Sequence, residues 1–115
     1  MNYRDKLDIT ADILNVASAT AKRTQIMYRA NLSYKVLCKY LDEMLAAALL
    51  SCQNQELYVL TERGTAYLSA YKEYMRTSKA VEKRLDIVRA KRKILEDLYK
   101  GSNQSSLQAV SAKLN

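Results

Sequence analysis

Apolar residues return every three to four positions along most of this chain, and the places where that rhythm breaks delimit its elements. From Arg4 to Ser18, Leu7, Ile9, Ala11, Ile13, Leu14 and Ala17 recur around Asp5, Asp8 and Asp12, which predicts a first helix. Ala17 to Ala21 is a connector of small residues. A second, shorter helix carries Ile26 and Met27, with Thr24 as its expected N-cap. Ala30-Asn31-Leu32 breaks the period, and Ser33 opens a third helix that runs to about Ala47. At 100° per residue, Tyr34, Leu37, Leu41, Met44 and Leu45 share one face of it, while Lys35, Val36, Lys39 and Glu43 turn away.

The pattern then changes. Leu49-Leu50-Ser51-Cys52 and Leu57-Tyr58-Val59-Leu60 flank Gln53-Asn54-Gln55, two short apolar runs around a polar turn, which predicts a β-hairpin. Thr61 is a good cap for a final helix, and Glu62 suits its first turn. No breaker follows until Gly101, since Gly64 lies early enough to be tolerated. Such a helix is about 55–60 Å long, more than a domain of this size can bury along its length. Tyr67, Tyr71, Tyr74, Ser78, Val81, Leu85, Val88, Arg92, Leu95 and Tyr99 alternate at spacings of four and three. That heptad seam calls for a second helix, most simply another copy of the same one. Leu68 and Met75 lie beside it, where they can pack on the preceding body. Residues 101–115, rich in Ser, Gln and Asn, read as a flexible tail. The expected organisation is a helix-and-hairpin domain over 1–66, a dimerisation helix over 67–100 and the tail.

Charge turns this outline into a function. The chain has 115 residues, 19 basic and 12 acidic, for a net charge of +7, which suits a polyanionic partner. The second and third helices with their short turn form a helix-turn-helix, whose second helix enters a DNA major groove. Between Thr20 and Leu41 the charged residues are Lys22, Arg23, Arg29, Lys35 and Lys39, with no acid. Lys22, Arg23 and Arg29, with Thr24, are expected near phosphates. Ser33, Tyr34, Lys35 and Lys39 are expected to approach the groove. Lysine supplies mostly non-directional charge, whereas bidentate base reading needs Arg, Asn or Gln, so weak sequence specificity follows. The hairpin would be a wing. Its tip has no lysine or arginine, so Gln53 and Asn54 either touch a minor groove or form a plain surface turn.

Other chemistry finds little support. With no histidine, no glycine-rich phosphate loop and scattered carboxylates, no catalytic constellation can be named, and no cofactor or small-molecule substrate is expected. Cys38 and Cys52 are too few and too far apart for zinc and read as buried apolar groups. No stretch is long and apolar enough to span a bilayer, and the acids near the N-terminus argue against a signal peptide, so a cytoplasmic, nucleoid-associated location is expected. The rival reading is a protein-interaction adaptor using the coiled coil and the winged domain. Membrane-surface attachment through residues 79–100 is weaker, because Glu82, Asp86, Glu96 and Asp97 interleave with the basic residues.

The motifs Ile26-Met27-Tyr28, Ala30-Asn31-Leu32-Ser33-Tyr34, Lys39-Tyr40-Leu41 and Tyr58-Val59-Leu60-Thr61-Glu62-Arg63-Gly64, in this order, resemble the archaeal winged helix-turn-helix DNA-binding proteins. The nearest type is the Sulfolobus ten-a chromatin proteins with related archaeal transcriptional regulators. The resemblance covers about Arg4 to Tyr74 by motif and the remainder by architecture. It implies a mainly α fold with a small β-hairpin wing, followed by a long helix that forms a dimeric, antiparallel coiled coil. It also implies a homodimer that binds double-stranded DNA in chromatin organisation or transcription regulation. Ala48 departs from it, standing where the family usually has glycine before the first wing strand.

Overall fold

The computed structural model describes residues 3–101. The tail expected over 101–115 lies, apart from Gly101, outside the described residues. Helix α1 spans Lys6–Ala17 and begins with a reciprocal cap. The Asp5 carboxylate accepts from the Asp8 N–H at 2.9 Å, and the Asp8 carboxylate accepts from the Asp5 N–H at 3.1 Å. Two orphan donors of the first turn are thereby satisfied. Strand β1 is only Ala21–Lys22, and α2 follows at once as Arg23–Arg29. Helix α3 covers Tyr34–Ala46, β2 Leu50–Gln53, β3 Leu57–Leu60, and α4 Glu62–Tyr99.

Two helix ends share one device. After α2, the N–H of Leu32 donates to the Met27 carbonyl and that of Asn31 to Tyr28, with Asn31 left-handed at φ 54°. After α3, Leu49 donates to Met44 and Ala48 to Leu45, with Ala48 at φ 59°. Both are Schellman endings, which normally take glycine or asparagine at the left-handed position. Asparagine accepts that conformation readily. Alanine does not, because its Cβ crowds the following carbonyl.

The sheet has three antiparallel strands in the order β1-β3-β2. Ala21 pairs with Tyr58 and Lys22 with Leu57, so the wing hairpin is stitched to the segment just before α2. The hairpin turn places Asn54 and Gln55 both at positive φ (53° and 59°), closed by the Glu56 N–H on the Gln53 carbonyl at 3.0 Å. Strand β1 was not expected, because two residues carry no periodicity of their own.

Ile13, Leu14, Ile26, Leu37 and Leu41 are fully buried, and Ala11, Ala17, Ala21, Ala30, Met44, Leu50, Tyr58 and Leu68 complete the core. The apolar stripe of α3 is therefore Leu37, Leu41 and Met44. Leu45 is half-buried, and Tyr34, expected on that face, is 59 % exposed. The cysteines also differ from expectation: Cys38 is half-buried and Cys52 exposed. On β2 only Leu50 turns inward, which leaves Cys52 outside.

Thr61 joins the wing to α4. Its hydroxyl accepts from the Gly64 N–H at 3.0 Å, as the cap of α4, and donates to the Ala48 carbonyl at 2.5 Å. The chain divides into two units, Met1–Tyr74 and Met75–Asn115. The first holds the helix-turn-helix and the sheet. The described part of the second is the remainder of α4 and its end at Gly101. Among the described residues, no helix is long and apolar enough to cross a membrane.

Candidate nucleic-acid interface

Helix α3 is the second helix of the helix-turn-helix, and its first turn carries the chemistry. Ser33 is its N-cap: the hydroxyl oxygen accepts from the Val36 N–H at 3.3 Å. The cap holds Ser33 at the start of the helix and occupies one acceptor site of its hydroxyl. Tyr34, Lys35, Val36 and Lys39 are exposed on the outer side. On α2, Thr24 and Arg29 are exposed, and Tyr28 is 77 % exposed. The capping role expected of Thr24 is corrected: α2 starts two residues earlier, at Arg23, with Lys22 as its cap residue. Gln25 reaches back to accept from the Lys22 N–H at 2.9 Å, the N3 half of a capping box.

Lys22 and Arg23 stand apart from the other cations. Lys22 Nζ lies 3.1 Å from a carboxylate oxygen of Glu56, so the stretch free of acid along the chain meets an acid in space. Both side chains of that pair are more than half exposed, so it is worth about 0–1 kcal/mol. Arg23 is half-buried. One Nη donates to the Tyr58 hydroxyl at 2.8 Å, and the other to the Tyr34 hydroxyl at 3.3 Å and Cys38 Sγ at 3.4 Å. Its Cζ sits 5.9 Å from the Tyr58 ring centroid and 6.0 Å from that of Tyr34. The bond to Tyr58, then that to Tyr34, raises the guanidinium pKa above its already high ordinary value.

Arg4 is a residue sequence reasoning missed. Its guanidinium donates to the carbonyls of Ala30 at 2.6 Å and Asn31 at 2.8 Å, and pairs with Asp12 at 3.0 Å. The turn of the helix-turn-helix is thus clamped from the start of α1. No local signal marks an arginine 26 residues from its acceptor. Gln53 and Asn54 are exposed at the wing tip, three and two residues before Glu56 in the chain.

The seam residues of α4 fall into two groups. Tyr67 and Tyr71 turn onto α1: Tyr67 donates to the Leu7 carbonyl at 2.9 Å, and Tyr71 to the Asp8 carboxylate. Their rings stack 6.4 Å apart at 8°. That bond, with burial, raises the Tyr71 pKa, and it holds the Asp8 carboxyl below its ordinary value. Both were expected in the dimer seam; within the chain their hydroxyls serve the packing of α4 on α1. Tyr74, Val81, Leu85 and Val88 are exposed, as are Leu95 (67 %) and Tyr99 (95 %). Arg92 is exposed and lies 3.7 Å from Glu96. Among the described residues, no group of three or more His, Cys, Asp or Glu is placed to hold a metal ion.

A winged helix-turn-helix family model matches residues 3–79. Among solved structures, the chain is similar to Sso10a-2, a DNA-binding protein from Sulfolobus solfataricus. Identity is 25%, coverage is 74% of this chain and 93% of that one, and the TM-score is 0.67. It shares its fold with BpsR of Bordetella bronchiseptica, whose DNA binding is regulated by 6-hydroxynicotinic acid (14% identity; 76% and 73% covered; TM-score 0.56). The same holds for a MarR family transcriptional regulator from Silicibacter pomeroyi (18% identity; 86% and 73% covered; TM-score 0.54). No curated protein sequence matches the chain.

Proposed function

The chain belongs to the winged helix-turn-helix family, and from that premise we propose that it is a dimeric, phosphate-driven binder of double-stranded DNA. Its role is chromatin organisation or transcription regulation, not catalysis. The observation that carries this reading is the outer side of the helix-turn-helix. There Arg29, Lys35 and Lys39 are exposed, and no acid stands between residues 20 and 41.

A recognition helix presents the residues of its N-terminal turns to base edges while neighbouring groups contact phosphates. Lys35 and Lys39 lie on those turns of α3, and Arg29 is the last residue of α2. Thr24, Ser33 and Tyr34 complete the surface, while Lys22, paired with Glu56, sits at its edge. None of Lys35, Val36 and Lys39 offers the planar two-point contact that distinguishes one base pair from another. Affinity then comes largely from counterion release, and discrimination between sequences is weak.

Pairing uses the stripe of α4 from Tyr74 through Val81, Leu85, Val88, Arg92 and Leu95 to Tyr99. A lone helix in water gains nothing by displaying these side chains at heptad spacing, whereas a second copy buries them. In an antiparallel register that sets Tyr74 opposite Arg92 of the partner, a guanidinium faces an aromatic ring, worth about 0.5–2 kcal/mol. A dimer of that kind carries two DNA-binding units and can bridge two duplexes or two sites on one.

Gel-shift titration of the purified protein with random-sequence duplex at low salt tests the reading. Binding that saturates and shows little preference among sequences supports it. No binding at low salt rejects it in favour of an adaptor whose helix stripe engages another protein. Mapping of bound DNA across a genome then separates a regulator, with a few sharp peaks, from a chromatin protein with broad coverage.

A further inference from the structure

Arg23 lies in the most basic stretch of the chain, yet its guanidinium is turned inward. It is the first residue of α2, and its guanidinium hydrogen bonds end on β3 (Tyr58) and on the first two turns of α3 (Tyr34 and Cys38). These acceptors are 35, 11 and 15 residues away along the chain. One planar group thus joins the first turn of α2, the central strand of the wing sheet and the start of the recognition helix. Tyr58 is buried, whereas Tyr34 is 59 % exposed. The guanidinium therefore has an anchored side and a side open to a ligand. Of its five N–H donors, three point to these acceptors, so most of the guanidinium is committed to the protein's own side chains.

We propose that Arg23 is a positioning residue for DNA recognition, braced on Tyr58 so that it holds the Tyr34 ring in place at the leading turn of α3. Tyr34 is the first helical residue after the Ser33 cap, where a recognition helix meets base edges. A tyrosine ring there reaches an apolar feature such as a thymine methyl only if its direction is fixed. The hydroxyl bond and the guanidinium on the ring together fix it. Lysine cannot replace this arrangement: its ammonium is a point charge without the planar fork that meets three acceptors at once.

The inference rests on duplex binding as proposed above, and the test separates the two. Affinity for one duplex is measured over a salt series for the wild-type chain, Arg23→Lys, Arg23→Gln and Lys35→Gln, each checked for folding by circular dichroism at the assay temperature. A positioning role predicts that Arg23→Lys loses as much affinity as Arg23→Gln, at least about fivefold, with the salt slope unchanged. Lys35→Gln, which removes one of the charges that displace counterions, reduces the slope by about 0.9 per protomer. Tyr34→Phe and Tyr58→Phe keep the rings and remove the acceptor hydroxyls, so they provide a second route if the Arg23 variants do not fold. Each is expected to weaken binding, and their losses are not additive with that of Arg23→Lys. Wild-type affinity in Arg23→Lys, or a slope lowered by about 0.9 in Arg23→Gln, makes Arg23 an ordinary phosphate contact and overturns the inference. Lower melting temperatures with unchanged affinity of the folded variants overturn it as well, by making the role purely structural. If the wild-type chain binds no duplex, the function proposed above fails and the positioning role with it.

Discussion

A Cβ at Gly64 would stand 2.1 Å from the carbonyl oxygen of Leu49, so the first turn of α4 lies directly on the backbone that leads into the wing. The oxygen belongs to the main chain and also accepts from the Thr61 N–H at 3.3 Å, so it cannot step aside without disturbing the cap of α4. Gly64→Ala is expected to destabilise the protein by about 1–3 kcal/mol, the usual cost of overpacking. Chemical denaturation reads this as a lower midpoint with an unchanged m-value. An unaltered midpoint would mean that the two elements do not meet so closely.

Ala48 is the converse case. Its φ of 59° is a conformation that costs a residue with a Cβ about 1–2 kcal/mol, whereas glycine adopts it freely. Glycine loses part of that advantage through its greater freedom in the unfolded chain. Ala48→Gly is therefore expected to stabilise by about 0.5–1 kcal/mol, seen as a higher melting temperature. Destabilisation would show that the ending of α3 is not the Schellman turn described above.

The Asp8–Tyr71 bond has a signature in pH. The Tyr71 hydroxyl, then the Asp5 N–H, hold the Asp8 carboxyl below its ordinary value of 3.8. The folded chain thus binds this proton less readily than the unfolded chain. The contribution is present above about pH 4 and is lost as pH falls through the folded value. Tyr71→Phe should flatten the fall in melting temperature below pH 4 relative to the wild type. An identical fall in both proteins would remove the bond from the account of acid stability.

The exposed stripe of α4 makes a prediction about assembly. Leu85→Asp places a charge in the middle of the proposed seam and should yield monomers by sedimentation equilibrium. Arg92→Leu should leave the dimer intact or strengthen it, since its surface pair with Glu96 is worth at most about 1 kcal/mol. A Leu85→Asp protein that still sediments as a dimer would show that the stripe is not the seam.

Elements whose cause is local were legible in the sequence. The stripes of α1 and α3, the opening of α3 at Ser33, the cap at Thr61 and the polar turn between β2 and β3 all depend on residues within a few positions of each other. What escaped depends on distant partners. The two residues of β1 become a strand only because β3 offers them a ladder 35 residues on. Tyr67 and Tyr71 satisfy a heptad pattern, yet the same spacing also serves packing on α1, some 60 residues earlier. Sequence spacing cannot tell these uses apart. Arg23 reads as surface charge, and Arg4 carries no mark at all, because the acceptors that engage them lie on other elements. Gly64 reads as a tolerated interruption, although the nearby Leu49 backbone requires it.

The salt dependence of duplex binding tests the proposed function most directly. If each protomer neutralises about four phosphates, log K should fall with log salt at a slope near −3.6 for one protomer and about −7 for a dimer using both. A slope near zero, or affinity that survives at high salt, would contradict binding through the cationic side of the helix-turn-helix.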